Sequence, residues 1–148
     1  MSETITKERL KGYAPLCRSI ENQLERLTRL KNSELLPATP ESNGSQRQPG
    51  ATGSRMANAL IRRLTYEDEI MPDIEAKMHE LETIRAAVNR LEDPQEQEVL
   101  RFRYIDCPGY KPALWADVAM QIYRDDDECK IKAVQRIHER ALININKT

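Results

Sequence analysis

The residues best placed to do chemistry lie near the carboxyl end. Between 130 and 148, Lys130, Lys132, Arg136, Arg140 and Lys147 stand against a single acid, Glu139. At 100° per residue, Val134, Ile137, Ala141 and Ile145 fall on one side of a helix and form its apolar stripe. Lys132, Arg136, Arg140 and Lys147 fall on the opposite side, with Gln135 and Glu139 at its edge. A helix held down by one face and presenting these groups on the other suits the DNA major groove. Arg and Lys reach guanine or phosphate there, and Gln reaches adenine. A plain solvated charged face has the same pattern, so spacing leaves both readings open.

The other reactive side chains form no constellation. His79 sits among Lys77, Glu80 and Glu82 and reads as solvated. His138 lies at the margin of the apolar stripe, which predicts a partly buried, hydrogen-bonded imidazole. Trp115 is expected to pack against the last helix. Cys17, Cys107 and Cys129 are odd in number and far apart, which argues against a disulfide framework or a zinc site and for a reducing cytoplasm. The run Asp125-Asp126-Asp127-Glu128 lacks the alternating spacing and glycine of a calcium loop, and reads as a solvated turn and helix start. With no glycine-rich phosphate loop, metal-ligand cluster or nucleophile with its base, neither an enzyme nor a cofactor is expected.

These side chains need helices to position them, and the composition supplies helices. Ala, Glu, Lys, Leu and Arg make up 66 of 148 residues, close to the share typical of long helices. Five glycines and seven aromatics are a poor inventory for a sandwich or barrel. Apolar residues are 39% and charged residues 32%, so a deep core is not expected. No apolar run is long enough to span a membrane, and the first residues carry no secretory-type hydrophobic stretch. The net charge of −1 is unevenly spread: residues 1–55 carry 9 basic and 6 acidic groups, 56–93 carry 5 and 9, and 94–148 carry 9 of each.

The expected class is all-α in four parts. Residues 1–36 form an N-terminal helix with a seam of Tyr13, Cys17, Ile20, Leu24 and Leu27, widened by Leu16 and Leu30, with Pro15 in its first turn. Residues 37–55, rich in Pro, Gly and Ser, form a flexible linker. Residues 56–92 form a long helix carrying Leu60, Leu64, Ile70 or Met71, Ile74, Met78, Leu81, Ile84, Val88 and Leu91, kinked or broken near Pro72. The two helical segments are expected to pair as a coiled-coil-like hairpin, or to turn one or both stripes towards a second subunit. Residues 93–148 form a compact module. Asp93-Pro94-Gln95-Glu96 opens its first helix with an N-cap acid, Pro at the first position and Glu three residues on. A short helix follows Pro112, and the last runs from about 129 to 146.

Three stretches then carry a resemblance: Val99 to Ile105 (VLRFRYI), Leu114 to Ala119 (LWADVA) and Ala133 to Leu142 (AVQRIHERAL). They resemble phage and prophage transcriptional regulators of the RinA and ArpU type, whose carboxyl-terminal part is similar to the region 4 helix-turn-helix of bacterial sigma factors. The resemblance covers about residues 93–146. It implies a promoter- or operator-binding protein, with DNA contacts at Lys130, Lys132, Gln135, Arg136, Glu139 and Arg140. The wheel independently exposes all of these but Lys130. The resemblance places the module core on Val118, Ala119, Val134, Ile137 and Leu142, joined by Trp115 packed against the last helix. Val118 and Val134 are sixteen positions apart, more than such modules usually show, and the acidic run 125–128 lies between them. Expected partners are double-stranded DNA, RNA polymerase and a second copy joined through the long helices. Two alternatives are a terminase small subunit-like packaging protein that forms rings, and a polymerase-contacting module without DNA.

Overall fold

The structure, a computed structural model, describes residues 4–35 and 51–147. Among these the regular elements are all helical, so the all-α expectation holds. The helices are α1 (Lys7–Lys11), α2 (Tyr13–Leu35), α3 (Ala51–Asn89), α4 (Pro94–Leu100), α5 (Trp115–Tyr123) and α6 (Glu128–Asn144). A π-helical turn, Arg101–Ile105, extends α4, and a single 3-10 turn covers Pro108–Tyr110. Among the described residues no helix is long and apolar enough to cross a membrane.

Several boundaries differ from the sequence expectation. The first helical part is two helices: Gly12 closes α1, and α2 starts at Tyr13, which leaves Pro15 in its first turn, where a missing N–H costs nothing. The linker expected over 37–55 is shorter, because α3 already starts at Ala51; its remainder lies outside the described residues. Pro72 neither breaks nor restarts α3. It is exposed, so the carbonyl whose donor it removes, that of Asp68, is open to water rather than stranded in a core.

The chain forms two compact units. The first comprises residues 1–19 and 77–148. Thr6 caps α1, its hydroxyl accepting from the Arg9 amide at 3.1 Å. Arg9 pairs with Glu80, and Arg85 donates to the Tyr13 hydroxyl at 3.0 and 3.1 Å. Leu10, Ile84, Val88, Leu100 and Tyr104 are buried in this unit. Asp93 caps α4 as expected, accepting from Gln95 N at 2.9 Å. Glu96, expected to reach back to the cap, instead lies buried and accepts from Asn144 Nδ2 of α6 at 2.8 Å.

The second unit, Ile20–Ala76, is made of the facing parts of α2 and α3. The two run antiparallel: Gln23 Nε2 donates to Asp73 at 2.8 Å, and one turn further along α2 Arg26 stacks on Tyr66, 4.9 Å from the ring centre. Ile20 and Leu27 of α2, and Ile70 and Ile74 of α3, are buried. The expected apolar seams are only partly covered. Leu24, Leu60, Leu64 and Met71 remain exposed.

Candidate nucleic-acid interface

The carboxyl-terminal module is built around α6, which packs on both α4 and α5. Its core brings together Val99, Ala113, Val118, Ala119, Val134 and Ile137, with Phe102, Cys107, Trp115, Ile122, Tyr123 and Ile131 packed around it. Five of these, Trp115, Val118, Ala119, Val134 and Ile137, are the residues expected there. Leu142 is not among them: it is half-buried, and its neighbour Ala141 takes the fully buried position. One residue is 100° of helix, so a step from 141 to 142 leaves the stripe that the wheel had already drawn through Val134, Ile137, Ala141 and Ile145.

α5 and α6 are joined by residues 124–127. The chain reverses at Arg124, whose φ of 57° lies in the left-handed region. Non-glycine residues adopt it rarely, and it ends α5 sharply. Asp125 then accepts from the Asp127 amide at 3.0 Å, a local turn bond. The extra length between Val118 and Val134 is therefore taken up largely in helix, in the rest of α5 and the opening turns of α6. Asp125, Asp126, Asp127 and Glu128 are all exposed around the amino end of α6, where they favour the helix dipole.

Buried polar groups tie this arrangement to α4. The π-helical turn directs Tyr104 inward, and its hydroxyl lies 2.7 Å from His138 Nε2. His138, expected at the margin of the stripe, is only 1% exposed. Desolvation drops its pKa from 6.5 to about 4, so the imidazole is neutral at pH 7. A proton on Nδ1, which lies 3.6 Å from the Glu139 carboxylate, lets Nε2 accept from Tyr104. Trp115 meets the His138 ring edge-on, with centres 4.9 Å apart. The Arg103 guanidinium stacks on the other ring system of this cluster, 3.9 Å from the Trp115 centre, and donates to the Ala113 carbonyl. Ala113 N donates in return to the Arg103 carbonyl at 2.9 Å. Burial also raises the pKa values of Tyr104 and Cys107, keeping both in their neutral forms.

The solvent side of α6 carries most of the predicted contact residues. Lys132, Arg136, Glu139 and Arg140 are exposed, and Gln135 is half-buried between them and the core. Lys132 pairs loosely with Glu128 one turn back, at 3.5 Å. Lys132, Gln135, Arg136 and Glu139 line one shallow depression together with Trp115 and Lys7 of α1. Lys130 stands apart: its ammonium lies over the Tyr123 ring at 5.0 Å, on the α5 side. Arg140 continues the exposed face one turn beyond Arg136. Lys7 is the residue that sequence reasoning missed. Nothing in local spacing links it to α6; the bond from the Ile5 amide to Asn146 Oδ1 at 2.7 Å, and the return bond from Asn146 Nδ2 to the Ile5 carbonyl at 3.0 Å, bring the two ends of the chain together.

Elsewhere the reactive side chains stay scattered. Among the described residues Cys17, Cys107 and Cys129 form no disulfide, His79 is exposed, and no three His, Cys, Asp or Glu side chains converge to hold a metal. No protein-family model, no curated protein and no solved structure matches this chain.

Proposed function

We propose that this protein binds double-stranded DNA through the exposed face of α6, as a non-enzymatic transcriptional regulator of the phage and prophage kind it resembles, acting in the host cytoplasm. One observation carries the reading. α6 is pinned by a continuous buried stripe, Val134, Ile137, His138 and Ala141, while Lys132, Arg136 and Arg140 stand exposed on its other side. A rigid helix with one face sunk in its own module and a cationic, amide-bearing face outward is what major-groove insertion requires. α5, joined to α6 through the tight reversal at Arg124, serves as the buttress. Lys7 adds a cation beside Gln135 and Arg136.

The test is fluorescence anisotropy of the full chain on a random-sequence duplex over a salt series. Binding at low salt with a log–log slope of about −3 to −6, at roughly 0.9 per neutralised phosphate, is the expected result. Arg136→Ala/Arg140→Ala should flatten the slope by about two and weaken binding. Absence of binding at every salt concentration sinks the proposal.

A second reading is favoured by one feature, the four consecutive exposed acids at the amino end of α6. They repel phosphate where a recognition helix makes its first contacts, and they suit a basic protein surface such as one on RNA polymerase. Asp125→Asn/Asp126→Asn separates the two: the DNA reading expects tighter duplex binding, the protein reading a loss of partner binding.

A further inference from the structure

α6 is flanked by a helix from far away in the sequence. The Ile5 amide donates to Asn146 Oδ1 at 2.7 Å, and Asn146 Nδ2 donates to the Ile5 carbonyl at 3.0 Å. This two-way bond joins a residue just past the end of α6 to the residue before the Thr6 cap of α1. Ile5 and Leu10 are buried in the same unit, and Arg9 ties α1 to Glu80 of α3. Held at these points, α1 places Lys7 on a shallow hollow of about 390 Å³ that it shares with Trp115, Lys132, Gln135, Arg136 and Glu139. Burial is the main cause of the low His138 pKa, and the charge of Lys7, like that of Arg103, adds to it, which sets the ammonium near the imidazole that pins α6.

The hollow is cationic. Lys7, Lys132 and Arg136 face Glu139 alone, whose carboxylate lies 3.6 Å from His138 Nδ1. Lys132 pairs loosely with Glu128. Lys7 and Arg136 are exposed and hold no ion pair with another described residue. An α-helix with its side chains is about 10–12 Å across, and the major groove is about 12 Å wide. α6 seated in the groove fills it. A cation carried beside α6 by another helix then meets a sugar-phosphate strand, not a base edge.

Resting on the DNA reading of α6, we propose that the hollow between α1 and α6 receives one backbone phosphate of the duplex, gripped by Lys7 and Arg136, and that Asn146 is a positioning residue that holds Lys7 there through Ile5. The contact is to the phosphodiester and carries no base preference of its own. It fixes the register in which Gln135 and its neighbours meet the bases.

Fluorescence anisotropy of the full chain on a random-sequence duplex, over a salt series, tests it. Lys7→Ala should lower the log–log slope by about 0.9 and weaken binding by about tenfold near 50 mM salt. Lys7→Arg should keep the slope, because a guanidinium also neutralises a phosphate. Asn146→Ala should lower the slope as well, and adding Lys7→Ala to it should change little further, since both act on one contact. Arg90→Ala removes an exposed cation from a separate hollow beside Lys147 and should leave the slope unchanged. Far-ultraviolet circular dichroism checks that each variant is folded; Lys7 is exposed, so its substitution keeps the fold even if that of Asn146 does not. A slope untouched by Lys7→Ala, or lowered as much by Arg90→Ala, overturns the phosphate contact and leaves the DNA reading standing. A slope lowered by Lys7→Ala but not by a folded Asn146→Ala overturns the positioning role. A wild-type chain that binds no duplex at any salt concentration removes the DNA reading itself, and this inference with it.

Discussion

α6 and the α3 segment of the second unit are both charged helices with an apolar seam, and they use it differently. The α6 seam sinks between two neighbours, α4 and α5, and is closed over by Trp115 and Tyr104. The α3 segment has one antiparallel neighbour, and its seam is divided between a buried strip at Ile70 and Ile74 and an exposed one at Leu60, Leu64 and Met71. The number of partners, rather than the hydrophobicity of the stripe, sets how much of it is buried. A three-helix arrangement leaves a helix one free face for polar work; a two-helix hairpin leaves an apolar face as well.

This contrast can be broken at either end. The largest effect is expected at Leu100, which is fully buried in the first unit. Leu100→Ala should cost about 4 kcal/mol of stability in urea denaturation, because it removes buried methyl groups and leaves a cavity. A cost below about 1 kcal/mol would mean that this core is loosely packed.

Next comes acid. Unfolded, the His138 imidazole titrates near its ordinary 6.5; folded, burial holds it to about 4. The unfolded chain therefore takes up the proton first as pH falls, so stability drops through the window from about 6.5 to about 4 and levels off below it. The full shift corresponds to roughly 3 kcal/mol. Thermal melts of the wild type against His138→Gln over this window should show a steeper decline for the wild type; parallel curves would place the imidazole in water. Tyr104→Phe is milder. It leaves His138 Nε2 without its 2.7 Å partner and should cost about 1–3 kcal/mol. The smallest effect is expected in the other region. Leu60→Ala should change the stability of the isolated chain by less than about 0.5 kcal/mol, and a larger loss under monomeric conditions would mean that the stripe is covered within the chain.

Much of this architecture was legible in advance. The helix start at Asp93-Pro94, the stripe Val134, Ile137, Ala141 and Ile145, and the exposure of Lys132, Arg136, Glu139 and Arg140 follow from caps and from 3.6-residue periodicity, both of which are local. The points the sequence leaves open share a cause too. Leu24, Leu60, Leu64 and Met71 had the same spacing as residues that are buried, and periodicity says which residues share a face, not whether anything lies against it. Pro72 leaves a kink or a break open in the sequence, and the continuous α3 excludes the break; the cost of a missing donor depends on whether the orphaned carbonyl reaches water.

By itself, then, the amino-acid sequence determined the helical class, the cap at Asp93 and the polar face of α6, since these depend on backbone geometry and on neighbours within one or two turns. Only the tertiary structure decided that His138 is buried and neutral against Tyr104, that Arg103 stacks on Trp115, that Glu96 bonds Asn144, and that Lys7 joins the face of α6. Each of those contacts joins residues far apart in the chain. Their energies come from desolvation and from partners supplied by other helices, which no local spacing encodes.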